Sequence, residues 1–428
     1  MTKTAIENVR GLRVWDSRGR PTVEVAVHLT GGAVGRAIAP AGASTGSGEV
    51  VDRRDGGNVF GGLDVTKAVA AVNGEIASAL KGLEAVDQNG VDAVLIALDG
   101  TPTKARLGGN ATVATSMAVA HAAAAAQGMP LWRYLGGGGE VLLPLPEIQI
   151  FGGGVHAARR VDMQDFMVIA VGAADYAQAL DWTAEVYRAA GQAMADMGRL
   201  QGVADEGGFW PAFDGNEEAL ETLTRAIERA GYIPGEDVAI SLDVAATAFG
   251  KGGRYRLARD GRELDSGALS DMLLGWIRRF PIVSIEDPLA EDDGDAIARF
   301  TKAAGNRVEV VGDDFLATSA KRIQAAAAMG ACNTALIKPN QIGTLSETKA
   351  ALDAARAAGW ESIVSARSGE TEDVTIVHLA VGWGAKQLKV GSFARSERMA
   401  KWNEGLRIAQ EIGGGPLPPR ASFPWGRG

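Results

Sequence analysis

The strongest constraint on the fold of this chain is a periodicity in its second half. Short runs rich in β-branched residues end in charged side chains, and a helical stretch follows each. VAISLD closes at Asp243, IVSIED carries Glu286 at its end, VEVVGDD carries Asp313, TALIK closes at Lys338, SIVSAR at Arg367 and KQLK at Lys389. These charged positions lie 43, 27, 25, 29 and 22 residues apart. Strand–helix repeats of roughly 25 residues are βα units and predict a parallel sheet covered on both faces. With DFMVIAV (165–171) and GVADEGG (202–208) read as two further strands upstream, the count reaches about eight, the number that closes a β/α barrel. An open doubly wound sheet is the alternative. It would gather its polar residues at a switch point, whereas here they stand at the end of every run, which favours the barrel.

The first third reads differently. PTVEVAVHL (21–29) alternates apolar and polar residues, as a half-buried strand does, and Gly31-Gly32 then turns the chain into AVGRAIAP as a hairpin partner. DVTKAVAAVNGEIASALKG and the Ala-rich stretch 114–127 read as helices, the second one tightly packed and buried. The glycines of GGGGE (136–140) mark a boundary. The expected organisation is therefore an N-terminal α+β domain over 1–137 and a catalytic α/β barrel over 138–428.

Charge and composition exclude several classes. The net charge is −9 with no basic run, so nucleic acid is not an expected partner. No run of roughly 18 apolar residues suggests a membrane span, and MTKTAIENVRGLRVWDSRGR lacks the apolar core of a signal peptide. The single cysteine, Cys332, precludes an intramolecular disulfide, and a cytoplasmic location is expected.

Asp243, Glu286 and Asp313 close three successive strands, so a barrel would bring three carboxylates together. Unpaired, they would repel one another; an all-oxygen set of this kind suits Mg²⁺. Each acid alone could equally be a helix cap or a surface ion-pair partner, but three at matching strand ends are hard to explain that way. Zinc is disfavoured, because Cys332 stands alone and His28, His121, His156 and His378 are scattered. Lys338, in a barrel mouth beside a cation, would have a depressed pKa and could act as a base. Glu206, before two glycines in ADEGGF, would face it as an acid. Arg367, Ser368 and Lys389 offer positive charge and hydrogen bonds to an anionic substrate. Together these parts describe abstraction of a proton next to a carboxylate, followed by loss of a leaving group.

With these residues in view, the sequence resembles the enolase family over essentially its whole length. DSRGRPTVEV, PAGASTG, VADEGGF, SIEDPL, VGDDF, LIKPNQIGTLSET, ARSGETED and KVGSFARSERMAKWNEGLRI carry the resemblance. It implies an N-terminal α+β capping domain and a barrel whose second strand is antiparallel. It implies two Mg²⁺ per active site, the first on Asp243, Glu286 and Asp313 and the second near Ser44. Lys338 is implied as base and Glu206 as general acid, with Lys389 on the substrate carboxylate and Arg367 and Ser368 on a phosphoryl group. His156 matches a histidine that a second loop brings over that group. A small anionic phosphorus-containing substrate and a dimer or dimer-based oligomer are implied as well.

The departures from the family pattern cluster around the substrate. Ala366 stands where the family has His in a Ser-His-Arg-Ser run. Gly152-Gly153-Gly154-Val155-His156 replaces Asn-Gly-Gly-Glu-His, Asp165 replaces a Glu, and Ala41-Gly42-Ala43-Ser44 replaces Ser-Gly-Ala-Ser. The charged core is spared. Three readings follow: an ordinary enolase, a relative running the same proton chemistry on a modified substrate, and an inactive binding protein. The spared core weighs against the third, and the changes around the substrate favour the second over the first.

Overall fold

The computed structural model describes residues 2–43 and 45–427. The N-terminal part is built on an antiparallel sheet of β1 (Ile6–Trp15), β2 (Pro21–Leu29) and β3 (Val34–Ile38). The alternation read in PTVEVAVHL is the burial alternation of β2, whose Val23, Val25, Val27 and Leu29 are buried. The helix Gly109–Ala126 covers this sheet, and fifteen of its eighteen residues are buried. Its small side chains permit very close packing. A Cβ on Gly35 in β3 would stand 2.1 Å from the Ala122 amide nitrogen, so only glycine fits there. None of the described helices is long and apolar enough to cross a membrane.

The remainder is a closed eight-stranded barrel of β4 (Leu145–Gly152), β5 (Asp165–Ile169), β6 (Ala239–Asp243), β10 (Ile282–Glu286), β11 (Glu309–Gly312), β12 (Thr334–Ile337), β13 (Glu361–Ser365) and β14 (Gln387–Gly391). A small antiparallel sheet of β7 (Gly250–Lys251), β8 (Arg254–Leu257) and β9 (Arg262–Asp265) is inserted after β6. β5 runs antiparallel to both neighbours, and the other pairings in the barrel are parallel. Helices follow the strands from β6 onward, several of them capped by their own sequence. Asp265 accepts from the Ala268 amide and Thr344 from that of Glu347, each satisfying a helix-start N–H.

The sequence reading needs one correction here. GVADEGG (202–208) is a loop and not a barrel strand. Gly202 and Gly207 take φ of 99° and 94°, which turn the chain, and this stretch makes only single bridges through Val203 and Phe209. The strand that completes the barrel is β4, which lies in the apolar stretch after the glycine boundary.

Two layers of polar residues fill the interior. Asp165, Asp243, Glu286 and Lys389 lie at the mouth, with Glu147, Ser241, Ser284, Glu309 and Gln387 below them. The C-terminal turns Arg420–Ser422 and Pro424–Gly426 pack on one another, and the latter also packs on Gly305–Arg307, which leads into β11. At the mouth, residues 366–370 are bolted from two sides. Ser17 N donates to Glu370 O at 2.7 Å, and Ala41 and Gly369 exchange backbone hydrogen bonds of 2.8 and 2.9 Å. Arg398, from the helix Ser396–Glu411, donates to the carbonyls of Arg367 and Ser368, both at 2.6 Å.

Candidate active site

Strand direction explains which residues meet. Asp243 and Glu286 are the last residues of β6 and β10 and sit opposite each other in register. Asp313 follows β11, Lys338 follows β12, and Lys389 pairs with Ser365 near the end of β13. Because β5 is reversed, its first residue, Asp165, arrives at the same rim and pairs with Asp243.

The three strand-end carboxylates do converge on this rim, but each faces an ammonium group. Lys389 Nζ donates to Glu286 Oε2 at 2.7 Å and to Asp243 Oδ2 at 2.9 Å, and lies 3.9 Å from Asp165. Lys338 Nζ donates to Asp313 Oδ2 at 2.6 Å, and Gln341 Nε2 donates to the other oxygen at 2.7 Å. Burial acts to lower the Lys338 pKa, but the surrounding carboxylates, Asp313 first and then Glu286, together prevail, and with no cation beside it the net direction is upward. Lys389 is likewise held well above the ordinary lysine value, as Asp243 and Glu286 outweigh burial. Burial and the neighbouring Asp243 push the Glu286 carboxyl up.

These donors fit a hard cation. Asp243 Oδ1 and Glu286 Oε1 are buried carboxylate oxygens with no hydrogen-bond partner, which is costly unless positive charge reaches them. Among the described residues, the groups whose ligand atoms all lie within 4.8 Å of one another are His156–Asp165–Glu206 and Asp287–Asp313–Asp314, both buried; the expected set of Asp243, Glu286 and Asp313 is not drawn together that closely. Asp287 accepts from the amides of Asp313 and Asp314 at 2.9 and 2.8 Å and so fixes the loop that carries Asp313. Ser44, expected near a second ion, lies outside the described residues.

On the opposite side stand the expected acid and its neighbours. Glu206 lies in a tight turn closed by Ala204 N to Gly208 O at 2.8 Å. His156 Nδ1 is 3.1 Å from Asp165 Oδ1, and its Nε2 is 3.7 Å from Glu206 Oε1. Burial disfavours the imidazolium, but the carboxylates of Asp165 and Glu206 prevail and raise the His156 pKa to about 9. Glu206 and Lys338 line one small polar cavity of about 20 Å³, together with His156, Lys389, Ala366 and Ser368.

The residues expected to face an anion show partners that sequence reasoning missed. Arg367 donates to both oxygens of Glu49 at 2.8 and 3.2 Å and to Asn340 Oδ1 at 3.1 Å. Gln164 Nε2 reaches Asp243 Oδ2 at 3.1 Å, and Arg18 donates to Ser368 Oγ at 3.1 Å. The only signals for these residues were positional: Glu49 closes the AGASTG loop, Gln341 and Asn340 follow Lys338 in KPNQ, and Arg18 lies in DSRGR. Ala366 presents a methyl group to the cavity, and its amide is tied to Lys389 O at 2.8 Å.

Two family models cover nearly the whole chain. One, described as the enolase N-terminal domain, matches residues 6–135; the other, the enolase C-terminal TIM barrel domain, matches residues 140–417. The chain belongs to the enolase family. It is therefore an enolase-type enzyme of the enolase superfamily, and enolases typically use Mg²⁺. The buried acids at the barrel mouth are groups that could hold such an ion.

Proposed function

We propose that this protein is a specialised enolase that forms an enolpyruvate phospho- or phosphono-ester from a 2-phosphoglycerate-like substrate. A carboxyphosphonoenolpyruvate synthase of phosphonate biosynthesis is the enzyme of this kind that fits best. The observation that carries the reading is Ala366. A methyl group lines the cavity at a position where the family has imidazole, while Asp243, Glu286, Asp313, Lys338 and Glu206 are retained. Extra volume there suits a phosphorus group that bears a carboxyl substituent.

In this reading Lys338 removes the proton next to the substrate carboxylate, and Lys389 pairs with that carboxylate. Arg367 and Ser368 hold the phosphorus oxyanion. Glu206, on the other side of the cavity, gives its proton to the departing hydroxyl, which leaves as water, and His156 hydrogen-bonds within the same group. Asp243, Glu286 and Asp313 would hold Mg²⁺, with Ser44 near a second ion. The bound ion would stabilise negative charge as it builds up on the substrate carboxylate. Compensation of the Asp313 charge is what would let Lys338 give up its proton. A dimer belongs to the same reading. It is supported by the exposed apolar residues Leu12, Trp15 and Phe60, of which Trp15 and Phe60 meet edge to face at 5.0 Å.

The intact charged rim also favours a second reading, ordinary dehydration of 2-phosphoglycerate, and weighs against an inactive binding protein. Steady-state turnover of 2-phosphoglycerate separates the two. The specialised reading expects a rate about 10²–10⁴ below that of an ordinary enolase, the typical cost of one lost transition-state hydrogen bond or proton-transfer group. A rate in the ordinary range would return the protein to housekeeping dehydration.

A further inference from the structure

Residues 366–370 are fixed mostly through their backbone. Ser17 holds Glu370, Ala41 holds Gly369, and Arg398 takes the carbonyls of Arg367 and Ser368. These bonds set where the Ser368 Cα lies but not where its hydroxyl proton points. One contact does bear on that proton. Arg18, on the turn between β1 and β2 of the N-terminal domain, donates from its guanidinium to Ser368 Oγ at 3.1 Å. Both side chains are largely enclosed: Ser368 is 3 % exposed, and the Arg18 side chain is 10 % exposed. Arg18 also lies 3.6 Å from Asp205, the neighbour of Glu206, so its charge is balanced without drawing it away from Ser368.

A serine hydroxyl has one proton to give and two lone pairs to receive. An arginine N–H can only donate, so it must take a lone pair, and the serine proton is then directed elsewhere. Ser368 lines the small polar cavity, whereas Arg18 is not among the residues that line it. A hydroxyl that accepts from a cation is also a better donor, because the charge polarises its O–H bond.

We propose that Arg18 is a positioning residue for the anionic head group: by donating to Ser368 Oγ it turns the Ser368 hydroxyl proton into the pocket, toward a phosphorus oxyanion. The inference rests on the reading of Ser368 as an oxyanion contact. It assigns to the N-terminal domain a share in substrate affinity that acts through a residue of the barrel.

The test is a double-mutant cycle, with 2-phosphoglycerate as the probe and Mg²⁺ present, read by titration calorimetry for affinity and by steady-state kinetics for kcat and KM. Arg18→Met should weaken binding about tenfold, the scale of one charge-assisted hydrogen bond, with kcat changed less than KM. Ser368→Ala should weaken binding by a similar factor. The double variant should be no weaker than Ser368→Ala alone, because Arg18 has no hydroxyl left to orient. Arg18→Lys, which keeps a cationic donor, should recover part of the affinity. Ser17→Ala, which removes the bond from Ser17 Oγ to Ser368 O at 3.3 Å and that from Glu370 N to Ser17 Oγ at 3.2 Å without touching the Ser368 hydroxyl, should leave binding nearly unchanged. Additive losses in the double variant would overturn the proposal, as would equal losses from Ser17→Ala and Arg18→Met, which would mark a general loosening of the loop. If Ser368→Ala weakens binding and Arg18→Met does not, the Arg18 role falls while the oxyanion reading stands. If Ser368→Ala binds normally, both fall.

Discussion

At the mouth of the barrel Asp243, Glu286 and Asp313 face ammonium groups at 2.6 to 2.9 Å, whereas one layer down Glu147 and Glu309 face a hydroxyl and an amide. Both sets are buried, both sit on barrel strands, and both keep unpartnered oxygens: Asp243 Oδ1 and Glu286 Oε1 above, Glu147 Oε2 and Glu309 Oε1 below. They differ in how their charge is met. Burial, reinforced by Glu147, raises the Glu309 pKa to about 8, so at neutral pH Glu309 carries its proton. In the upper layer, Lys338 holds the Asp313 carboxyl below its ordinary value although burial opposes this. Acids balanced by lysine side chains can exchange them for another cation. Acids neutralised by protons in a closed interior are structural. Burial of a carboxylate therefore does not by itself mark a site; the nature of the counter-charge does.

The sharpest way to break this comparison is to remove a lysine from the mouth. Lys338→Ala should lower exchange of the substrate α-proton into D₂O by about 10⁴, followed by NMR with 2-phosphoglycerate, at the upper end of general-base effects. Normal exchange would move the base elsewhere. Next in size is Ala366→His, which should raise 2-phosphoglycerate turnover by about 10² and impair a bulkier phosphorus-substituted substrate; an unchanged rate would show that the alanine is tolerated. Glu286→Gln should weaken Mg²⁺ binding by at least about tenfold in calorimetric titration, and unaltered binding would remove Glu286 from the ion's ligands.

The smallest expected effect belongs to the lower layer. Glu309 is protonated in the folded chain up to about pH 8 but ionises near pH 4.3 when unfolded. Its contribution to stability is thus fully present below the unfolded value and is lost as pH rises through about 8. Between pH 6 and 8 that loss is about 2 kcal/mol. Glu309→Gln, which cannot ionise, should remove this part of the pH dependence in urea titrations and leave kcat within about twofold. A large loss of activity with no change in the stability profile would erase the distinction between the layers.

How far the sequence foretold this arrangement varies from residue to residue. Asp243, Glu286, Asp313 and Lys338 were legible because strand ends in a parallel barrel share one rim, so a local pattern implied a spatial cluster. β4 was not read as a strand: LPEIQIFG is buried throughout and begins beside a proline, so it lacks the alternation that marks a half-exposed strand. GVADEGG resembled a strand end because it offered a short apolar start and a terminal acid, but its glycines bend it into a loop. The lysine–carboxylate pairs, and the grip of Glu49 on Arg367 across 318 residues, leave no local trace. Pairing of that kind depends on which side chains the closed barrel brings together.

The bolted segment 366–370 has a consequence for the order in which the chain is made. Its fastenings come from Ser17, Ala41 and Arg398, near opposite ends of the polypeptide; Ser17 and Ser368 are 351 residues apart. During synthesis the N-terminal sheet and its alanine helix can form early, since the contacts between them lie among the first 126 residues. The segment that carries Arg367 and Ser368 is not fully held until Arg398 has left the ribosome, after every strand of the barrel has been made. A chain stalled or truncated before the helix Ser396–Glu411 would keep its lysines and carboxylates but lack the clamp that holds Arg367 and Ser368 in place.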